Sequence, residues 1–152
     1  WVDGHNIIIN NFDSGFKKKQ EILKQFEEYF DARMALHVYA GYTGCSSFRV
    51  HEDTASNFII QIEGSTHWTV YKNRCSNIIK PLDVVQEEFN EMIAEMEPAI
   101  DTMLTPGDMI YIPARCYHQA KPTGKRLSVS IPMQHMLPHL KPFDRTYYEL
   151  PH

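Results

Sequence analysis

From Leu36 onward the chain is a succession of short runs rich in aromatic and β-branched residues with turn signals between them. That texture confines the fold to a β sandwich or barrel. The expected strands are Leu36 to Ala40, Asn57 to Ile62, His67 to Tyr71, Asp101 to Leu104, Met109 to Ile112 and Leu127 to Ile131, with Ile7 to Ile9 as an edge strand. Gly64-Ser65 reads as a hairpin turn between the second and third of the main runs. Pro106-Gly107-Asp108 is a further turn signal, and Pro113 limits continuation of the sheet before His118.

Two segments keep a helical period instead. From about Phe16 to Ala32, Ile22, Leu23, Phe26 and Phe30 recur at helical spacing with Lys and Glu opposite, which predicts a helix packed outside the sheet. From about Val84 to Ile100, Val85, Phe89, Met92, Ile93 and Met96 recur at i, i+3 and i+4, which predicts a helix inserted into the β framework. A length of 152 residues suits one domain spanning 1–152. The tail from Met133 to His152 has no clear period and is expected either to wrap the barrel or to pair two copies into a homo-oligomer.

Composition excludes some function classes. A net charge of -4 argues against phosphate-driven nucleic-acid binding, and the basic run Lys17 to Lys19 reads as a solvated helix start. No apolar run approaches the roughly 20 residues of a membrane span. Cys45, Cys75 and Cys116 are odd in number and lack metal-knuckle spacing, so a reducing, cytoplasmic setting is expected rather than a disulfide framework. The chain opens on Trp1 without a charged-then-apolar leader, which reads as a piece of a longer protein rather than a secreted precursor.

The chemistry is concentrated in two places. In His51-Glu52-Asp53, just before a predicted strand, an extended backbone turns residues two apart to the same side, so His51 and Asp53 can share an ion while Glu52 faces away. That triplet alone is common, and an exposed polar turn would show it too. The run from Leu104 to His118 adds a turn, a buried strand and then His118 as a third ligand. Two imidazoles and a carboxylate on one side of a metal leave the opposite positions open, the arrangement of non-haem Fe(II) centres that activate O2.

These residues resemble the two cupin motifs, with Arg115 where the second motif usually has glycine. More closely, His51 to Trp68 together with the later Pro-Gly-Asp, Ile-Pro and His elements resembles the JmjC-type 2-oxoglutarate oxygenases, a group that includes the factor-inhibiting-HIF asparaginyl hydroxylase and the ribosomal oxygenases. The resemblance covers about Leu36 to Met133. It implies a double-stranded β-helix (cupin jelly roll), Fe(II) as cofactor, and 2-oxoglutarate and O2 as cosubstrates. It further implies decarboxylation of 2-oxoglutarate to succinate coupled to hydroxylation of a protein or peptide side chain or a small metabolite.

In that family a tyrosine at the position of Tyr39 hydrogen-bonds the cosubstrate, and Asn57 matches an asparagine that contacts it. A packed aromatic and a strand-entry amide are the plain alternatives. The family's basic residue falls at Thr66, which has no charge. Arg126 is the candidate replacement, since Arg126-Leu127-Ser128 resembles an R-x-S element that binds 2-oxoglutarate in prolyl-hydroxylase-like and related enzymes. A guanidinium can hold a carboxylate through two parallel hydrogen bonds, with Ser128 on the same side and Thr66 adding a hydroxyl. A surface arginine beside Lys125 is the other reading of Arg126.

His37, His67, His135 and His139 lack ligand spacing and read as structural or surface residues, although His37 lies two residues from Tyr39. Trp68, Tyr71 and Tyr111 read as core or pocket walls, and Cys116 has no required role. Two rival functions stay open. One is a cupin metalloenzyme that uses Mn, Ni or Zn without 2-oxoglutarate; the other is a non-catalytic jelly-roll binding module.

Overall fold

The computed structural model describes residues 6–12, 17–41, 48–75 and 86–135. In chain order the elements are β1 (Ile7–Ile9), α1 (Lys17–Phe30), β2 (Ala32–Met34), β3 (His37–Gly41), β4 (Ser56–Arg74), α2 (Gln86–Ala94), β5 (Pro98–Leu104), β6 (Met109–Ile112) and β7 (Cys116–His135). The strands hydrogen-bond in the order β1-β3-β7-β4-β5, with β2 added to β7 and β6 to β4, and every pairing is antiparallel.

Two long strands organise the fold. β4 and β7 pair from Ser56↔Met133 to Arg74↔Cys116, with register shifts between Gln61 and Glu63, Gly64 and Thr66, and Val70 and Arg74. The first half of β4 is flanked by β6 and β7, the second half by β5 and β7. Extra residues at bulges bend a strand and sharpen its twist, so each long strand can serve two parts of the sheet, β4 pairing with β6 along its first half and with β5 along its second. This is the mainly β jelly roll expected from the sequence, with two helices as decoration.

The bulges correct one expectation directly. Gly64-Ser65 is no hairpin turn; Asn57 to Ile62 and His67 to Tyr71 belong to one strand. Gly64 is required for close approach: its φ is 69°, and a Cβ there would lie 1.8 Å from Lys125 O on β7. The true turn at Pro106-Gly107-Asp108 docks beside this bend, where Gly107 N donates to Gln61 O (2.9 Å) and Gln61 N to Asp108 O (3.0 Å).

Other boundaries also move. The inserted helix is shorter than expected, because Pro98 cannot extend it and instead starts β5. α1 stops at Phe30, with Asp31 at φ 48°, and Ala32 enters β2 rather than the helix. β7 runs far beyond Leu127 to Ile131 in both directions, through Lys121-Pro122-Thr123-Gly124. The core holds Ile59, Trp68, Val70, Leu104, Ile110 and Ile112. Alternation along β6 buries Ile110 and Ile112 and turns Tyr111 outward, so Tyr111 is no core or pocket residue; its ring packs on Phe58 (5.0 Å), which also meets Phe30 of α1 (5.5 Å). Among the described residues no helix is long and apolar enough to cross a membrane. Val85, His139 and the tail from residue 136 lie outside the described residues.

Candidate metal and cosubstrate site

A cavity of about 140 Å3 opens between the layers. An engineered apolar cavity of about 150 Å3 accepts benzene, so the space is of small-molecule size. Its lining carries His51, Asp53 and His118 together with Tyr39, Arg126 and Ser128, while Phe48, Ile59, Trp68 and Ala120 form apolar walls.

Backbone pairing brings the three candidate ligands together. His51 N donates to His118 O (3.1 Å) and His118 N to His51 O (2.8 Å), a two-residue bridge that sets the rings with centroids 4.3 Å apart. Arg115 N donates to Asp53 O (2.7 Å), and Ala114 N to Ser56 Oγ (3.0 Å), so the turn after Pro113 is stitched to the segment that carries Asp53. Arg115 adopts φ 67°, which explains why glycine suits this position of the motif. Glu52 faces away from the cavity, buried, with an Oε2 3.5 Å from Arg115 Nη1.

The donor set fits a metal. One ligand atom from each of His51, Asp53 and His118 lies within 4.8 Å of the others, against the roughly 3 Å between adjacent ligands on one ion, so a small inward movement of the side chains closes the set on a metal. His51 Nδ1 contacts Arg49 O (2.8 Å) and His118 Nδ1 contacts Cys116 O (2.9 Å). A carbonyl can only accept, so both rings carry a proton on Nδ1, and the neutral ring presents its lone pair on Nε2. His118 Nε2 is 3.6 Å from Asp53 Oδ2. Burial pushes the His118 pKa below its usual value, and the His51 ring adds to that, outweighing the hydrogen bond to Cys116 O and the charges of Asp53 and Glu52; the neutral, metal-ready form is favoured.

Arg126, Ser128 and Ser130 occupy alternate positions of β7 and all line the cavity, with Tyr39 of β3 directly opposite Ser128. Arg126 is only 5% exposed, and loss of hydration pushes its pKa down while Tyr39 opposes the shift. Burial, then the Asp53 charge, raise the Tyr39 pKa, so the phenol stays a neutral donor. Trp68 leaves its indole N–H without a hydrogen-bond partner among the described residues. A buried cation, a phenol, a serine and an orphaned donor beside a metal triad suit a dicarboxylate that also ligates the metal.

The remaining sequence candidates divide. Asn57 does not line the cavity; its Nδ2 donates to Asp53 Oδ2 (2.8 Å) and its Oδ1 accepts from Ser130 Oγ (3.1 Å). Thr66 is fully buried, also off the lining, with no partner for its hydroxyl among the described residues. His37 accepts from Asn11 N (3.1 Å), and His67 lies 3.1 Å from Asp101. Cys75 and Cys116 form no disulfide, and their sulfurs accept from Arg115 Nη2 (3.2 Å) and Arg74 Nε (3.3 Å). Ser130 and Phe48 escaped the sequence reading. The alternation that linked Arg126 to Ser128 continues to Ser130 and could have found it; no local signal marks Phe48, whose ring reaches His51 (5.2 Å) through the chain path alone.

Comparison with known proteins agrees with this geometry. A model of the JmjC domain matches residues 9–139. Ribosomal oxygenase 1 of Danio rerio is 30% identical over 113 residues, which cover 73% of this chain and 20% of that protein. The bifunctional lysine-specific demethylase and histidyl-hydroxylase NO66 of Drosophila grimshawi is 26% identical over 123 residues, covering 79% of this chain and 16% of the other. Among solved structures, Escherichia coli YcfD, a ribosomal oxygenase, in complex with cobalt and 2-oxoglutarate superposes with a TM-score of 0.62 at 22% identity, over 88% of this chain and 32% of that one. The chain thus spans about a fifth or less of those two curated relatives.

Proposed function

This chain belongs to the JmjC domain family, and on that premise we propose that it is the core of an Fe(II)- and 2-oxoglutarate-dependent oxygenase that hydroxylates a protein or peptide side chain. The observation that carries the reading is a single cavity shared by a two-histidine, one-carboxylate triad and a buried arginine. When bound, Fe(II) with 2-oxoglutarate and O2 supplies the oxidising chemistry, coupling decarboxylation to succinate with oxidation of a substrate C–H bond.

The chain's own residues bind, orient and exclude water. His51, Asp53 and His118 hold the metal from one side and leave the other side to ligands. Arg126 would hold the far carboxylate of 2-oxoglutarate, with the Ser128 and Tyr39 hydroxyls as further donors. Arg126 thereby takes the role that a basic residue at Thr66 would have. Ile59, Trp68 and Ala120 keep water from the reacting centre, and no protein general base is needed.

A peptide substrate is favoured by the names of the relatives, which act as ribosomal oxygenases or as a histidyl-hydroxylase and lysine demethylase. The half-exposed Phe48 beside His51 offers an apolar contact for such a side chain. The uncharged Thr66 favours a second reading, a cupin metalloenzyme that does not use 2-oxoglutarate. Adding Fe(II) and 2-oxoglutarate without oxygen and recording the metal-to-ligand charge-transfer absorption, then admitting O2 and measuring succinate, decides between them. Absorption followed by succinate is expected; metal binding with no response to 2-oxoglutarate would overturn the oxygenase in favour of the second reading.

A further inference from the structure

We infer that Asn57 and Ser130 form a positioning relay that holds the Asp53 carboxylate for metal binding, and that Ser130 in consequence offers the cavity an acceptor and no donor. The inference rests on the metal-dependent reading above. It departs from the role of cosubstrate contact that the family resemblance implies for Asn57.

The relay has one permitted direction. An ionised carboxylate only accepts hydrogen bonds, so the 2.8 Å contact between Asn57 Nδ2 and Asp53 Oδ2 is an N–H donated to Asp53. This fixes the carboxamide, and the Asn57 Oδ1 must then face Ser130 Oγ at 3.1 Å. An amide oxygen also only accepts, so the one hydroxyl proton of Ser130 is committed to Asn57. Ser130 lines the cavity, yet what it turns toward a ligand is oxygen lone pairs. A carboxylate is repelled there and directed to Arg126 and Ser128 on the same face of β7. The metal end and the carboxylate end of the cavity are thus separated by the hydrogen-bond polarity of one serine.

Asp53 needs such a tether. It lies outside regular secondary structure, and its side chain is 45% exposed, whereas Asn57 and Ser130 are buried on the paired strands β4 and β7. The two strands therefore lend their rigidity to a carboxylate whose own backbone segment would leave it free to rotate. Loss of comparable outer partners of metal ligands weakens metal affinity by roughly 10- to 100-fold.

The test is a titration of the protein with Co(II) in the absence of 2-oxoglutarate, followed by the 2-oxoglutarate Kd at saturating metal. Asn57→Ala is expected to weaken Co(II) by roughly 10- to 100-fold and to alter its visible spectrum, with the 2-oxoglutarate Kd little changed. Ser130→Ala should weaken Co(II) less, Ser130→Thr should restore the wild-type value, and the double alanine variant should bind no worse than Asn57→Ala, because Ser130 acts only through Asn57. Co(II) affinity within threefold of wild type in Asn57→Ala, or additive losses in the double variant, would overturn the relay. A wild-type protein that binds Co(II) but not 2-oxoglutarate would remove the oxygenase reading alone, leaving the relay to stand or fall on the metal titrations; one that binds no metal would remove both.

Discussion

Arg126→Met is the perturbation that bears most directly on how the cavity receives 2-oxoglutarate. At 5% exposure the guanidinium is little screened by solvent, so its hydrogen bonds to a carboxylate belong to the strong, charge-assisted class. Each such bond contributes about 1.5 to 3 kcal/mol. Two of them at the lower figure give about 3 kcal/mol, which at about 1.4 kcal/mol per tenfold is a 2-oxoglutarate Kd weakened roughly 100- to 200-fold. Ser128 and Tyr39 remain as donors, which is why the lower figure applies. Calorimetric titration of 2-oxoglutarate into Mn(II)-loaded protein reads this directly. Metal affinity should be unchanged, because the bonds that orient the three ligands run from His51 to Arg49 O, from His118 to Cys116 O and from Asn57 to Asp53, and none of these involves Arg126. Arg126→Lys keeps the charge and loses the two-pronged geometry, so it should fall between the two. A 2-oxoglutarate Kd within threefold of wild type in Arg126→Met, at intact metal affinity, would show that the far carboxylate is held elsewhere.

Gly64→Ala should destabilise the fold by at least about 2 kcal/mol in urea unfolding, since alanine must hold a left-handed backbone and place a methyl group against Lys125 O; a loss under about 0.5 kcal/mol would mean that β4 and β7 part there at little cost. The metal-free protein should lose stability as pH falls from about 6.5 through the lower folded-state pKa of His118, because the unfolded chain binds the proton more readily there. Thermal unfolding between pH 8 and 5 should show that decline, and it should be shallower in His118→Gln; equal slopes would assign it to other groups.

Much of this protein is written locally. His51-x-Asp53 needed nothing beyond the alternation of an extended segment to place two ligands on one side, and the same period of two tied Ser128 to Arg126, whereas Tyr39 and Arg126 themselves were marked by resemblance to the JmjC-type and related oxygenases and by no local pattern. The expected β class and both helices were likewise legible from periodicity. What composition could not reveal was that Gly64-Ser65 and Lys121-Pro122-Thr123-Gly124 continue strands instead of ending them. A glycine or proline has the same local preferences in a turn and in a bulge, and the strand lying alongside decides which it becomes.

The chain therefore determined, residue by residue, which side chains could ligate a metal or hold a carboxylate. Their convergence was decided only when β7 paired with β3, with β4 and with the segment at His51, because these registers set Tyr39 across from Ser128, Asn57 between Asp53 and Ser130, and His51 against His118. Side chains separated by as many as 73 positions in sequence share hydrogen bonds here, and no local preference encodes an encounter between such distant groups.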